Sequence, residues 1–163
     1  MSIARFEHVS GEQYRQDAAG YAVKMPVEEI PLPRRATAGS AGYDFVCPVE
    51  VTLRPGDTAV IPTGIRVWME PGWVLLNCPR SSLGRKHGLR LANTIGVIDG
   101  DYVHADNEGH IQIKLINANR EGREFVAEAG TAIAQGVFLP FGITVDDEAC
   151  AARIGGFGST DRR

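Results

Sequence analysis

The chain has 163 residues, of which 44% are hydrophobic and 23% charged, and a formal net charge of −3. That length and balance suit one soluble domain burying roughly two-thirds of its unfolded surface, and the acidic balance excludes a basic stripe for sequence-independent duplex binding. The three cysteines, Cys47, Cys78 and Cys150, are too widely spaced for a zinc knuckle and suit a reducing cytoplasm; no signal-peptide core opens the chain and no apolar run reaches membrane-spanning length.

Residues 1–30 differ in character from the rest: Gln13 to Val23 predict a helical turn or two, and Pro26, Pro31 and Pro33 then lead extended chain into a β-rich region, 31–150. Val49, Val51 and Leu53 alternate with Glu50 and Thr52, which predicts a strand with one buried face. Arg54-Pro55-Gly56-Asp57 and Glu70-Pro71-Gly72 predict turns, and the apolar run Trp73-Val74-Leu75-Leu76 predicts a buried strand. Ser81 to His87 is the candidate short helix, with Ser81 as its cap. Ile95 to Ile98 gives way to Asp99-Gly100-Asp101-Tyr102, and Ile111, Ile113 and Leu115 alternate with Gln112 and Lys114. Glu128-Ala129-Gly130 predicts another turn and Gly136 to Leu139 another buried strand. Many short strands with frequent turns predict an all-β sandwich or barrel.

Four places carry candidate chemistry. The carboxylates of Asp99 and Asp101 sit where a strand meets a turn, suited to activating water or holding a metal. A calcium loop fails there, because Val103, His104 and His110 occupy positions that need an oxygen ligand, a glycine and a glutamate. His104, Asp106, Glu108 and His110 suggest zinc, but without nearby cysteines a polar hairpin tip is the better reading. Pro79-Arg80-Ser81-Ser82-Leu83-Gly84 puts an arginine and two hydroxyls at a helix start, where unpaired N–H groups favour anions. Finally, Arg153-Ile154-Gly155-Gly156-Phe157-Gly158-Ser159-Thr160 pairs glycines with one arginine and one aromatic ring, as a lid closing on a nucleotide would; the alternative is a functionless terminus.

Taken in order, Ala41-Gly42-Tyr43-Asp44, Pro79 to Gly84, Asn93 with Gly96 to Tyr102, Ile133-Ala134-Gln135 and Gly155 to Thr160 resemble the five motifs of the trimeric deoxyuridine triphosphatases (dUTPases), a resemblance spanning residues 31–160. It implies a jelly-roll-like, distorted β-barrel with one short helix, assembled as a homotrimer with sites shared between subunits. It implies that Asp99 activates the attacking water, that Tyr102 packs beneath deoxyribose, and that Asn93, Gly96 and Val97 form the hairpin reading uracil. Arg80, Ser81, Ser82, Gly84 and Gln135 match phosphate contacts, and Asp44 matches an acid supporting a hydrated Mg²⁺ held mainly by the substrate phosphates. Arg153, Phe157, Gly158 and Ser159 match the mobile arm, 151–163, that closes on the nucleotide. The implied substrate is dUTP, with neither nucleic acid nor membrane as partner.

Three features depart from the pattern: Val103 to Glu108 lengthen the third motif, Ala132 stands where a basic residue is common, and the fifth motif is one residue short. They suggest a bacterial-type branch. The related dCTP deaminases need a catalytic glutamate where this chain has Lys114, which cannot serve as a carboxylate base. A regulatory binding protein on the same scaffold is the other alternative, and the intact Asp99 and arm weigh against it.

Overall fold

A computed structural model describes residues 2–150 and Gly155. In chain order the elements are β1 (Ala4–His8), α1 (Gly11–Asp17), β2 (Ala22–Val23), β3 (Arg34–Arg35), β4 (Tyr43–Val46), β5 (Val49–Leu53), β6 (Thr58–Pro62), β7 (Ile65–Met69), β8 (Trp73–Pro79), α2 (Ser81–His87), β9 (Leu89–Leu91), β10 (Gly96–Ile98), β11 (Gln112–Asn117), β12 (Phe125–Ala127) and β13 (Ala132–Pro140), with 3₁₀ turns at Val27–Glu29 and Tyr102–His104. The pairings are antiparallel and make sheets ordered β10-β8-β13-β4-β3, β6-β11-β9, β12-β5-β2 and β1-β7. Among the described residues no helix is long and apolar enough to cross a membrane.

The period-two segments behave as their pattern requires. Val49 and Leu53 of β5 are buried and Val51 between them half-buried, while Glu50 and Thr52 are exposed, and Ile113 and Leu115 of β11 are buried on either side of exposed Lys114. The Pro-Gly turns reverse the chain through Gly56 and Gly72, both at positive φ (89° and 83°), where a Cβ would strain the backbone. Phe45, Leu75, Ile61, Ile111 and Ile133 meet in one core cluster, which also takes in Val9, Tyr14, Ala18, Val27 and Ile30 from the first thirty residues. The N-terminal segment is thus part of the packing: β1 pairs with β7 along its length, and His8 Nε2 lies 2.8 Å from the Ile30 carbonyl.

Several expectations need correction. The first helix begins at Gly11 rather than Gln13, because the Ser10 hydroxyl accepts the Gln13 N–H at 3.1 Å and caps it. Ser81 does not cap α2; Arg80 occupies that position without a side-chain cap, its carbonyl already accepting from Leu83 and Gly84 (3.1 and 3.2 Å), and Ser81 is the first helical residue. The stretch 103–110 is a polar tip only in part: His104 and Asp106 are exposed, but Val103, Ala105 and His110 are buried. The apolar runs in β8 and β13 are buried on one face only. Val74 and Leu76 of β8, opposite Leu139 and Val137 of β13 and followed by Val97 of β10, make an outward aliphatic face on which Val97 is 60% exposed.

Candidate active site

Motif residues gather at two places on this framework. The first is built on β4, β8 and β13, where Asp44 lies opposite Gln135, and Gln135 opposite Cys78. Just past β8, Arg80 turns back to Asp44: Nε lies 3.0 Å from Oδ1 and Nη2 donates to Oδ2 at 3.3 Å, a two-pronged charge-assisted contact. Its remaining prong donates to the Ala132 carbonyl at 3.1 Å, so the guanidinium plane is fixed. Gln135 donates to the Pro79 carbonyl at 3.1 Å. Gly42 leaves room for this side chain, since a Cβ there would lie 3.2 Å from Gln135 Cδ and closer still to Oε1, and Gln135 would have to shift. Ser81 and Ser82 are exposed in the first turn of α2, where backbone N–H groups have no acceptor within the helix. The Gly84 N–H is already bonded to Arg80.

The second place is the hairpin β9–β10 and the turn after it. Its tip is strained: Thr94 has φ 68°, costly for a β-branched residue, and Ile95 N bonds to Asn93 O at 2.7 Å across it. Gly96 lies opposite Asn77 and lets the hairpin approach β8, since a Cβ there would sit 3.3 Å from Asn77 Cβ and 3.7 Å from Asn93 Nδ2. Asn77 is buried with an Oδ1 that has no hydrogen-bond partner among the described residues. Asp99 is exposed at the end of β10. Tyr102 is 6% exposed and opens the following 3₁₀ turn, its N–H bonded to the Asp99 carbonyl at 3.1 Å and its hydroxyl donating to the His110 carbonyl at 3.0 Å. The ring is therefore a fixed wall beside the Asp99 turn.

Within one chain these two places are apart. Ile98 lies opposite Leu75, and Arg80 follows five residues later, just past the end of β8, so roughly 17 Å of backbone path along the strand lies between the Asp99 turn and Arg80. Arg153, Phe157, Gly158 and Ser159 lie outside the described residues.

The described residues contain no group of three or more His, Cys, Asp or Glu side chains able to hold a metal ion, and both ring nitrogens of His110 are engaged by Gly64 and Asp17. Mg²⁺ keeps much of its water and binds through one or two carboxylates together with phosphate oxygens. Asp44 and Asp99 supply such oxygens singly, which fits an ion carried by substrate phosphates and not an all-protein cage. Lys114 is exposed on β11 and gives no carboxylate base.

Sequence reasoning missed Ser10, Asp17 and Asn107 behind the Asp99 turn, and noted Glu108 and His110 without seeing that they pack there. One signal was available for part of this set, the Ser10-to-Gln13 spacing of a helix cap. Nothing local marked Asp17 as the partner of a histidine 93 positions away.

The family model described as dUTPase matches residues 28–161. The chain belongs to the dUTPase family. It is 46% identical over 134 residues to the deoxyuridine 5′-triphosphate nucleotidohydrolase of Lactococcus lactis, covering 80% of this chain and 88% of that one. It is 43% identical over 140 residues to the enzyme of the same name from Hahella chejuensis, covering 81% and 88%. The crystal structure of the dUTPase from Streptococcus mutans superposes with a TM-score of 0.68 at 38% identity, covering 85% of this chain and 97% of that one. The dUTPase from phage phi11 of S. aureus shares the fold at 21% identity, with a TM-score of 0.66 over 97% and 99% of the two chains. The expected jelly-roll-like β fold is thus the fold of this chain, and its few helices are short.

Proposed function

We propose that this dUTPase-family chain hydrolyses dUTP to dUMP and pyrophosphate. The observation that carries the reading is an exposed carboxylate, Asp99, set on a rigid turn of a chain that is 46% identical to a deoxyuridine 5′-triphosphate nucleotidohydrolase and keeps the Arg80 fork. Asp99 accepts a proton from water, whose oxygen attacks the α-phosphorus; the bond from that phosphorus to the bridging oxygen breaks and pyrophosphate leaves with its electron pair. Arg80, held flat by Asp44, meets developing phosphate charge together with the Ser81 and Ser82 amides and hydroxyls and the Gln135 amide. A bound Mg²⁺ would spread that charge across the triphosphate, with Asp44 the nearby carboxylate for its water shell. The hairpin of Asn93, Gly96 and Val97 reads uracil, and Tyr102 leaves no room for a 2′-hydroxyl. Arg153 and Phe157, with Gly158 and Ser159, close over the nucleotide.

We further propose a homotrimer in which each site takes Asp99 from one chain and the phosphate-binding residues from another. The separation within one chain and the outward aliphatic face of β8, β10 and β13 support this, because association would both complete the site and cover the face. The lengthened third motif fits a bacterial-type branch, and the unpaired Cys47, Cys78 and Cys150 fit a cytoplasmic setting.

Two inactive variants test chemistry and sharing together. Asp99→Asn should bind dUTP normally by calorimetry yet turn it over about 10²-fold or more slower; a chain ending at Ala152 lacks the arm. Refolded as an equal mixture, they should recover activity in roughly one site in four, given random closed assembly, with dUMP and pyrophosphate as products. Failure to regain activity in refolded oligomers would overturn the shared site, and ammonia release from dCTP by the unaltered chain would overturn the reaction.

A further inference from the structure

The Asp99 turn is braced from behind by the N-terminal helix. His110 is fully buried, at 0% exposure, and both ring nitrogens are engaged. Nε2 accepts the Gly64 N–H at 2.8 Å, so in the neutral ring the proton resides on Nδ1 and is donated to Asp17 Oδ2, 2.5 Å away at the end of α1. Asp17 is itself oriented by Gln13, whose Nε2 donates to the same oxygen at 2.8 Å. A second proton on the imidazole would set one N–H against another at Gly64. The charged and titratable groups facing this ring are Asp17, Glu108 and, edge-on at 6.3 Å between ring centroids, Tyr14.

The main chain of the same histidine holds Tyr102. Its carbonyl accepts the Tyr102 hydroxyl at 3.0 Å, and Asn107 Nδ2 donates to that hydroxyl at 2.8 Å. The extra residues of the third motif complete the clasp. Glu108 accepts from both the N–H and the hydroxyl of Ser10 (2.8 and 2.6 Å), fastening the loop to the start of α1. Gly109, with φ 71°, lies so close to the Tyr102–Val103 backbone that a Cβ would fall 2.5 Å from Val103 Cα and 2.7 Å from the Tyr102 carbonyl oxygen. The two ends of α1 thus hold the C-terminal limb of the loop, at Glu108 and at His110, and the Tyr102 hydroxyl is bonded to that limb.

Rejecting a ribonucleotide means refusing one hydroxyl group, and a wall does this only if it cannot recede by about 1 Å. We propose that Asp17 and His110, with Asn107, are positioning residues that hold Tyr102 in place and thereby set the preference for a deoxyribonucleoside triphosphate over its ribose counterpart, an inference that rests on the reading of Tyr102 as the wall beneath the sugar. The N-terminal segment and the lengthened loop then share one purpose: together they stiffen the sugar side of the site.

The test compares kcat/KM for dUTP and UTP in the unaltered chain, Asp17→Ala and Asp17→Asn. Asp17→Ala should lose at least about 10-fold of the preference for dUTP, chiefly through faster UTP turnover. Asp17→Asn keeps an acceptor for the Nδ1 proton and should retain most of it. If Asp17→Ala does not fold, Asn107→Ala removes the other bond on the Tyr102 hydroxyl without opening the core, and the same loss of preference is expected. A parallel fall for both substrates, with the ratio unchanged, would mean that these residues support the fold alone and would overturn the inference. An unaltered chain that turns over UTP as readily as dUTP would remove the sugar role of Tyr102 itself, a failure visible before any substitution.

Discussion

At the scale of single residues, His110 is a group whose surroundings oppose one another. Burial pushes its pKa below the usual 6.5, and the hydrogen bond and charge of Asp17 pull it up only in part. In the unfolded chain the ring takes up a proton near its ordinary value; in the folded chain it does so only at lower pH. Between those values the unfolded state binds more protons, so the contribution of His110 to stability is complete above about pH 6.5 and is lost as pH falls toward the depressed folded pKa. Glu108 is held below the usual carboxylate value of 4.5, chiefly by the Ser10 hydroxyl, so its contribution is present above that pH and is lost only in stronger acid. The thermal midpoint should therefore drop between about pH 7.5 and 5.5. His110→Gln, which cannot titrate, should give a flatter profile across the same interval; an unchanged slope would assign the effect to another group.

At the scale of elements, the 103–109 loop is fixed by how tightly it returns on itself. Gly109→Ala adds both a left-handed strain and a contact of 2.5 Å with Val103 Cα, and should lower unfolding free energy by more than about 2 kcal/mol, measured by denaturant titration. Substitution without loss would mean that the loop has room to shift. This loop also marks where the sequence stopped being legible. The strands β5 and β11 followed from periodicity, because that signal acts over a few positions, and α2 was found at Ser81–His87 although the cap expected of Ser81 falls to Arg80. His104, Asp106 and Glu108 looked like a solvated tip because their neighbours Val103 and Ala105 are too few to make a period, and burial of His110 depends on Asp17, Gly64 and Tyr14, each supplied by distant chain. The same holds at the phosphate side. Arg80 and Asp44 stood out through their motifs, but their mutual pairing is a product of the β4–β13–β8 register.

At the scale of the whole molecule, the aliphatic row of Val74, Leu76, Val97, Val137 and Leu139 carries the prediction. Val74→Asp places a charge on this outward face while leaving Leu75 and the interior untouched, so the chain should still fold. Light scattering should then report a monomer, and turnover of dUTP should fall with it, since on the proposed sharing each site needs Asp99 from one chain and Arg80 from another. An active monomer would refute the shared site. The place of β13 in the main sheet has a separate consequence, for biosynthesis. It is the last strand of the described chain, and it lies in the middle of the order β10-β8-β13-β4-β3. A nascent chain that has reached β12 has already made β8 and β4, yet each still presents an open edge of backbone donors and acceptors. Their union waits until residues 132–140 have cleared the ribosome, so the partly made protein is exposed to edge-to-edge aggregation during translation, and a message broken upstream of Ala132 yields chains that fall to chaperones or proteases.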